Sequence, residues 1–283
     1  MPELPEVQTV LNGLVERLGS RLIASLEGNY QGTVVLDPDL PCKYFPTYVK
    51  RYERKGKYML LSLESDVTII IHLRMTGKLV FWDEQMSDET SIDHDADLKH
   101  KHQRALLTLA DGAKILFIDP RTFGKIVLCP SSKIQNYLAK LGAEPLTDAL
   151  SASYLQKAFG NRKLPIKQAL LDQSIVAGLG NIYVCEILYR CKIHPQIGAS
   201  KINLRDARSI VKHTRQILKE AIANNGTSIS DYRRVDDKSG EFQNFLLVYG
   251  KKICPLGHQI NTIRQGGRST YFCPQCQRSQ DRT

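Results

Sequence analysis

The chain has 283 residues, is 42% apolar and carries a formal net charge of +10, enough to bury one large core or, on the simpler expectation, two smaller ones. Residues 1–150 hold 18 Lys/Arg against 20 Asp/Glu and residues 151–283 hold 21 against 9, so the halves carry −2 and +12. A basic half of that size points to a polyanion, nucleic acid ahead of an anionic membrane surface, and no apolar run is long enough for a membrane span or shaped like a secretion signal.

The opening, Met1-Pro2-Glu3-Leu4-Pro5-Glu6, is the first informative element. Removal of the initiator methionine would leave Pro2 with a secondary α-amine. Such groups titrate at about 7.7–8.0, so the amine is partly unprotonated at neutral pH and can attack an electrophilic carbon. Glu3 and Glu6 put carboxylates beside it that can hold it, take its proton or protonate a leaving oxygen. The same residues also suit the first turn of a helix. Val7, Val10, Leu11, Leu14, Val15 and Leu18 then recur at helical spacing, and Gly19 closes one amphipathic helix.

From residue 22 to 128 the texture is short β-type runs, at 58–63, 67–73, 105–109 and 114–118, punctuated by turn residues such as Asp111-Gly112. A β-sandwich or flattened barrel is expected. Residues 83–98 are acidic and polar and read as an exposed loop. The resulting division is an N-terminal domain over 2–132, a linker over 133–152, a helical domain over 153–245 and a terminal hairpin over 246–283. Helical signals fall at 154–159, 166–171, 182–189 and 204–224, and the charged stretch 226–244 reads as a mobile loop. The fold class is therefore α+β.

Seven cysteines in a chain of this length, three of them near its end, suggest reduced thiols plus a metal site. Cys273-Pro-Gln-Cys276 is a complete Cys-x2-Cys knuckle for one tetrahedral zinc, whereas Cys254-Pro-Leu-Gly257-His258 lacks the second thiol. His258 can replace it, giving a Cys254, His258, Cys273, Cys276 set; otherwise three thiols hold the metal or the hairpin folds without it. Gly178-Leu179-Gly180-Asn181 is a glycine turn leading into a helix, suited to a phosphate. Asp119-Pro120-Arg121-Thr122-Phe123-Gly124 looks, by itself, like a strand-to-strand turn with an exposed arginine.

Together these motifs resemble the bacterial-type formamidopyrimidine-DNA glycosylases, which excise oxidised purines, and the resemblance runs along the whole chain. It rests on Met1-Pro2-Glu3-Leu4-Pro5-Glu6-Val7, Lys57-Tyr58 on a strand, His72-Leu73-Arg74-Met75-Thr76-Gly77, Lys101-His102, Asp119 to Gly124, Gly180-Asn181-Ile182-Tyr183 and the terminal thiols, in that order. It implies an N-terminal helix with a β-sandwich, a helix-two-turn-helix domain and a zinc-ribbon-like hairpin. Leu4 and Val7 favour the purine enzyme over a sister family acting on oxidised pyrimidines; a catalytically silent DNA-binding module is the other alternative.

The resemblance further implies that Pro2 attacks the sugar C1′, that Glu3 helps open the sugar, that Lys57 serves DNA binding and proton transfer in β-elimination, and that Arg268 holds a phosphate and assists δ-elimination. Met75, Arg121 and Phe123 would fill the space left by the flipped nucleotide, where unstacking calls for apolar or π replacement. His102, Arg162, Lys167 and Asn181 would contact DNA phosphates, with Lys163 an equal candidate to Arg162. Zinc is the implied cofactor, with Gly257 a departure from the family's usual cysteine. Damaged or abasic double-stranded DNA is the implied partner, and the expected protein is a monomer in the cytoplasm, associated with the nucleoid.

Overall fold

The computed structural model describes residues 1–83, 101–227, 235–236 and 239–277. The loop expected over 83–98 lies beyond Asp83 outside the described residues, as does much of the charged 226–244 stretch. The chain divides into two compact units, one of Met1–Ala139 with Asn225–Glu241 and one of Lys140–Asn224 with Phe242–Thr283.

The first unit begins with helix α1 (Leu4–Leu18), whose apolar stripe of Val7, Val10, Leu11, Leu14 and Leu18 is buried in a core shared with strand residues. Strands β1 (Ile23–Gly28), β2 (Val34–Leu36), β3 (Val49–Lys55), β4 (Tyr58–Leu63), β5 (Val67–His72), β6 (Lys78–Trp82), β7 (Gln103–Leu109), β8 (Lys114–Ile118) and β9 (Lys125–Pro130) make two sheets. One has the order β1-β7-β8-β6 and the other β2-β9-β5-β4-β3. All pairings are antiparallel except β2 with β9. The largely apolar run of β5, the central strand of its sheet, is buried along its whole length. In β7, Ala105, Leu107 and Leu109 alternate inward, as a strand with one covered face requires. This is the expected leading helix with a β-sandwich. A short helix α2 (Ile134–Leu138) follows β9.

Two connections cross from one sheet to the other at one end of this sandwich. Residues 73–77 join β5 to β6, and residues 119–124 join β8 to β9. Their flanks are paired within both sheets, His72 with Lys125 in one and Lys78 with Ile118 in the other.

The second unit contains helices α3 (Ala152–Phe159), α4 (Ile166–Leu171), α5 (Asn181–Arg190) and α6 (Leu204–Ala223), then a hairpin of β10 (Asn261–Gln265) and β11 (Arg268–Phe272). Ser151 and Asn203 cap α3 and α6 by accepting from the Tyr154 and Asp206 N–H groups. The hairpin shares an apolar cluster with α5, built from Cys185, Tyr189, Val248, Cys254, Ile260 and Cys273.

Candidate functional site

Pro2 is buried at the start of α1, beside two carboxylates that are almost fully enclosed, Glu3 at 3% and Glu6 at 2% exposure. They form a reciprocal capping box. The Glu3 carboxylate accepts the Glu6 N–H, and Glu6 Oε2 accepts the Glu3 N–H at 2.8 Å. The second oxygen of Glu6 accepts the Thr227 N–H at 2.8 Å, so one carboxylate ties the helix start to the returning segment. Gly226 permits that approach: it sits at φ +77°, and a Cβ there would stand 3.0 Å from Glu6 Oε1.

Lys57 is not on a strand, as expected, but in the two-residue turn Gly56-Lys57 between β3 and β4, with Gly56 at φ +56°. It is nevertheless buried, at 6% exposure. Arg54 links that turn to α1, donating from Nε to Gln8 Oε1 at 2.9 Å and from Nη1 to the Gly56 carbonyl at 3.1 Å. His72 lies beside this region with its ring edge on Tyr58, and its Nδ1 accepts the Arg74 N–H at 2.9 Å. Burial pushes its pKa down to about 3, helped by the positive charges of Arg74 and Lys57, so the imidazole is neutral.

Met75 (37% exposed) projects from the 73–77 crossover and Phe123 (50% exposed) from the 119–124 crossover, with the Arg121 guanidinium carbon 5.0 Å from the Phe123 ring centroid. Each crossover thus presents one large apolar side chain to solvent. His102 Nδ1 stands 3.3 Å from Arg104 Nη2, and its carbonyl accepts the Asp119 N–H.

In the second unit, both glycines of the Gly266-Gly267 turn have positive φ, +56° and +75°, as a two-residue hairpin turn of the primed type needs. Arg268 follows the turn, exposed at the start of β11. Asn181 donates to the Ser269 carbonyl at 2.9 Å, which puts the first residue of α5 against the hairpin. Arg162 is engaged, bonding the Ala158 carbonyl and Asp172 Oδ2 at 3.1 and 3.3 Å, whereas its neighbour Lys163 is exposed.

Lys167 departs from expectation. It is fully enclosed, and its ammonium donates to Thr270 Oγ1 at 2.6 Å and to the Ser269 carbonyl at 3.2 Å. A phosphate in solvent does not reach an amine so placed; the charge holds the hairpin strand that carries Arg268. Sequence reasoning missed Glu186, whose enclosed carboxylate accepts the N–H groups of Leu247, Val248 and Tyr249 at 2.8–2.9 Å. The available signal was an acid inside an otherwise apolar helical run.

Cys254, His258, Cys273 and Cys276 offer donor atoms that all lie within 4.8 Å of one another. The Cys254 and Cys276 sulfurs are 3.9 Å apart, and His258 Nδ1 is 3.3 Å from Cys276 Sγ and 3.7 Å from Cys273 Sγ. Tetrahedral zinc with Zn–S of about 2.3 Å and Zn–N of about 2.0–2.1 Å requires donor separations of this size, so the residues fit the ion. Gly257 at φ +80° turns the knuckle, and the Cys254 N–H bonds the His258 carbonyl, bringing the imidazole round to the position of the absent thiol. No helix among the described residues is long and apolar enough to cross a membrane.

Comparison with known proteins gives three family matches along the chain. They are the formamidopyrimidine-DNA glycosylase N-terminal domain at residues 1–126, the formamidopyrimidine-DNA glycosylase H2TH domain at 141–233, and a zinc finger found in FPG and IleRS at 257–278. The formamidopyrimidine-DNA glycosylase of Paracoccus denitrificans is 40% identical over 98% of this chain and 100% of its own length. A complex between a Lactococcus lactis FPG mutant and a Fapy-dG containing DNA superposes with a TM-score of 0.86 at 31% identity, covering 98% of this chain and 100% of that one. A complex of the Lactococcus lactis protein with an abasic site containing DNA gives 0.84, with the same identity and coverage.

Proposed function

Because the chain belongs to the formamidopyrimidine-DNA glycosylase family, whose members are bifunctional DNA glycosylases and abasic-site lyases, we propose that it removes oxidised purines from duplex DNA through a Schiff base on Pro2. The substrates are 8-oxoguanine and formamidopyrimidines, and β,δ-elimination follows base release. Freed of Met1, the Pro2 amine attacks C1′ of the flipped nucleotide. The C1′–N bond breaks, the base leaves with a proton, and the sugar opens at O4′ with Glu3 as the acid. The resulting iminium acidifies the C2′ proton. Its loss expels the 3′ phosphate, with Lys57 moving protons, and a second elimination, assisted by Arg268, expels the 5′ phosphate. Hydrolysis of the iminium frees the enzyme.

Met75, Arg121 and Phe123 fill the vacated stack, and phosphates are met by His102 in the first half and by Arg162 or Lys163 and Asn181 in the strongly basic second half. Zinc held by Cys254, His258, Cys273 and Cys276 supplies structural cross-linking of the hairpin and takes no part in the chemistry.

The observation that carries this reading is the start of α1, where a buried Pro2 is followed by two carboxylates, Glu3 and Glu6, held out of solvent; a capping box does not require its carboxylates to be enclosed. Borohydride trapping on duplex DNA carrying 8-oxoguanine opposite cytosine tests it. The methionine-processed protein is expected to form a covalent adduct, and Pro2→Gly or a Met1-retaining form to lose most of it. Tight binding without trapping by the processed protein would remove the catalytic assignment.

A further inference from the structure

The two crossovers that carry Met75 and Arg121-Phe123 are joined by one buried carboxylate. Asp119 has no exposed surface. Its Oδ1 accepts the Thr76 hydroxyl at 2.5 Å and the Arg121 N–H at 3.3 Å, and its Oδ2 accepts the Gly124 N–H at 2.7 Å. Thr76 belongs to one crossover; Arg121 and Gly124 belong to the other. The Arg121 N–H also lies 3.4 Å from Thr76 Oγ1, so the hydroxyl bridges the loops from both sides. The Asp119 main chain is fixed as well, its N–H to the His102 carbonyl and its carbonyl to Arg104 Nε at 2.9 Å.

Packing repeats the link. A Cβ on Gly77 would stand 3.0 Å from the tip of the Phe117 ring, and one on Gly124 would stand 2.4 Å from the same atom. The closing glycine of each loop therefore rests on one ring. Each loop also holds a non-glycine residue in the left-handed region next to its exposed side chain, Arg74 at φ +54° before Met75 and Thr122 at φ +59° before Phe123. Such conformations are strained and persist where the surroundings over-determine them. Finally, the paired flanks in both sheets, His72 with Lys125 and Lys78 with Ile118, leave neither loop free to move without the other.

We propose that Asp119, through Thr76, is a positioning residue that makes the Met75 loop and the Arg121-Phe123 loop a single rigid wedge, so that filling the space of the flipped nucleotide and contacting the opposite base occur as one event. A carboxylate without solvent must accept several hydrogen bonds, and here the donors it selects lie on both loops. The proposal rests on the assignment of Met75 and Phe123 as the stack-filling residues.

A double-mutant cycle tests it, read as the single-turnover rate of 8-oxoguanine excision opposite cytosine in duplex DNA. In the native background, Met75→Ala and Phe123→Ala combined are expected to cost at least about fivefold less than the product of their separate losses, because half a coupled wedge does little. In Thr76→Val, which deletes the hydroxyl at nearly constant shape, and in Asp119→Asn, the two losses are expected to multiply to within about twofold. Thr76→Ser restores the coupling. Thr76→Val keeps the test open if Asp119→Asn does not fold. Single substitutions without effect would remove the stack-filling assignment and this proposal with it. Large single effects whose coupling survives in Thr76→Val would overturn this proposal alone.

Discussion

His72 shows how one enclosed side chain gives the fold a pH dependence. Its folded pKa, lowered to about 3 by burial and by the charges of Arg74 and Lys57, lies below the unfolded value of about 6.5. The unfolded state therefore takes up a proton first as pH falls. The contribution is complete above pH ~6.5 and is lost toward pH ~3, at up to about 1.4 kcal/mol per pH unit. In urea titrations the protein is expected to lose about 1–2 kcal/mol more between pH 7 and pH 5 than His72→Asn, whose carbonyl can still accept the Arg74 N–H; equal slopes would place the pH dependence elsewhere. Lys167 makes a second case. Lys167→Met fills a similar volume but leaves Thr270 and the Ser269 carbonyl short of a donor, an expected cost of about 1–3 kcal/mol. Because β11 also carries Arg268, the incision products of Lys167→Met should shift from δ- toward β-elimination ends on a sequencing gel, with Schiff-base trapping retained. Neither role was visible in the sequence. Lys167 looks like any solvated lysine in Pro165-Ile166-Lys167-Gln168, and Ser269 and Thr270, to which its ammonium donates, lie more than a hundred residues away.

Elements whose residues repeat at a fixed period were legible, and those that depend on a distant partner were not. The stripe from Val7 to Leu18 and the largely apolar run of β5 each announce their conformation within a few residues. The acid at Glu186 announces only that something must satisfy it. Its three N–H donors, at Leu247, Val248 and Tyr249, belong to a segment with no regular structure, which is why spacing could not find them. Glu186→Gln makes the dependence measurable: the amide keeps one acceptor but turns an NH2 toward an N–H donor. A loss of about 2–4 kcal/mol is expected, seen as a lower denaturation midpoint and faster zinc release to a chelator, since α5 and the thiol cluster share one apolar core. The Asp119 turn was likewise read as a structural hairpin, because a loop that joins two sheets and a loop that joins two neighbouring strands have the same local composition.

Over the whole chain, the uneven charge is the property that sequence alone stated most directly, and it leads to a prediction independent of the chemistry. The excess of 21 basic over 9 acidic residues lies in the second half, where Arg264 and Arg268 are exposed on the hairpin. Composition carries no sign that the chain returns, with Asn225–Glu241 grouping with the first unit, because a segment's partner in space leaves no mark on it. Binding to undamaged duplex should be mainly counterion release, with log K falling against log salt at about 0.9 per neutralised phosphate. Arg264→Gln and Arg268→Gln should each weaken binding at low salt and flatten that slope by about one. Zinc removal should do the same for both at once, because the thiols and His258 close the structure on which the two arginines stand. Titrating fluorescent duplex at several salt concentrations, with and without prior chelation, separates the possibilities. A slope unchanged by chelation would mean that the hairpin keeps its shape through the apolar cluster of Val248, Ile260 and Tyr189 alone.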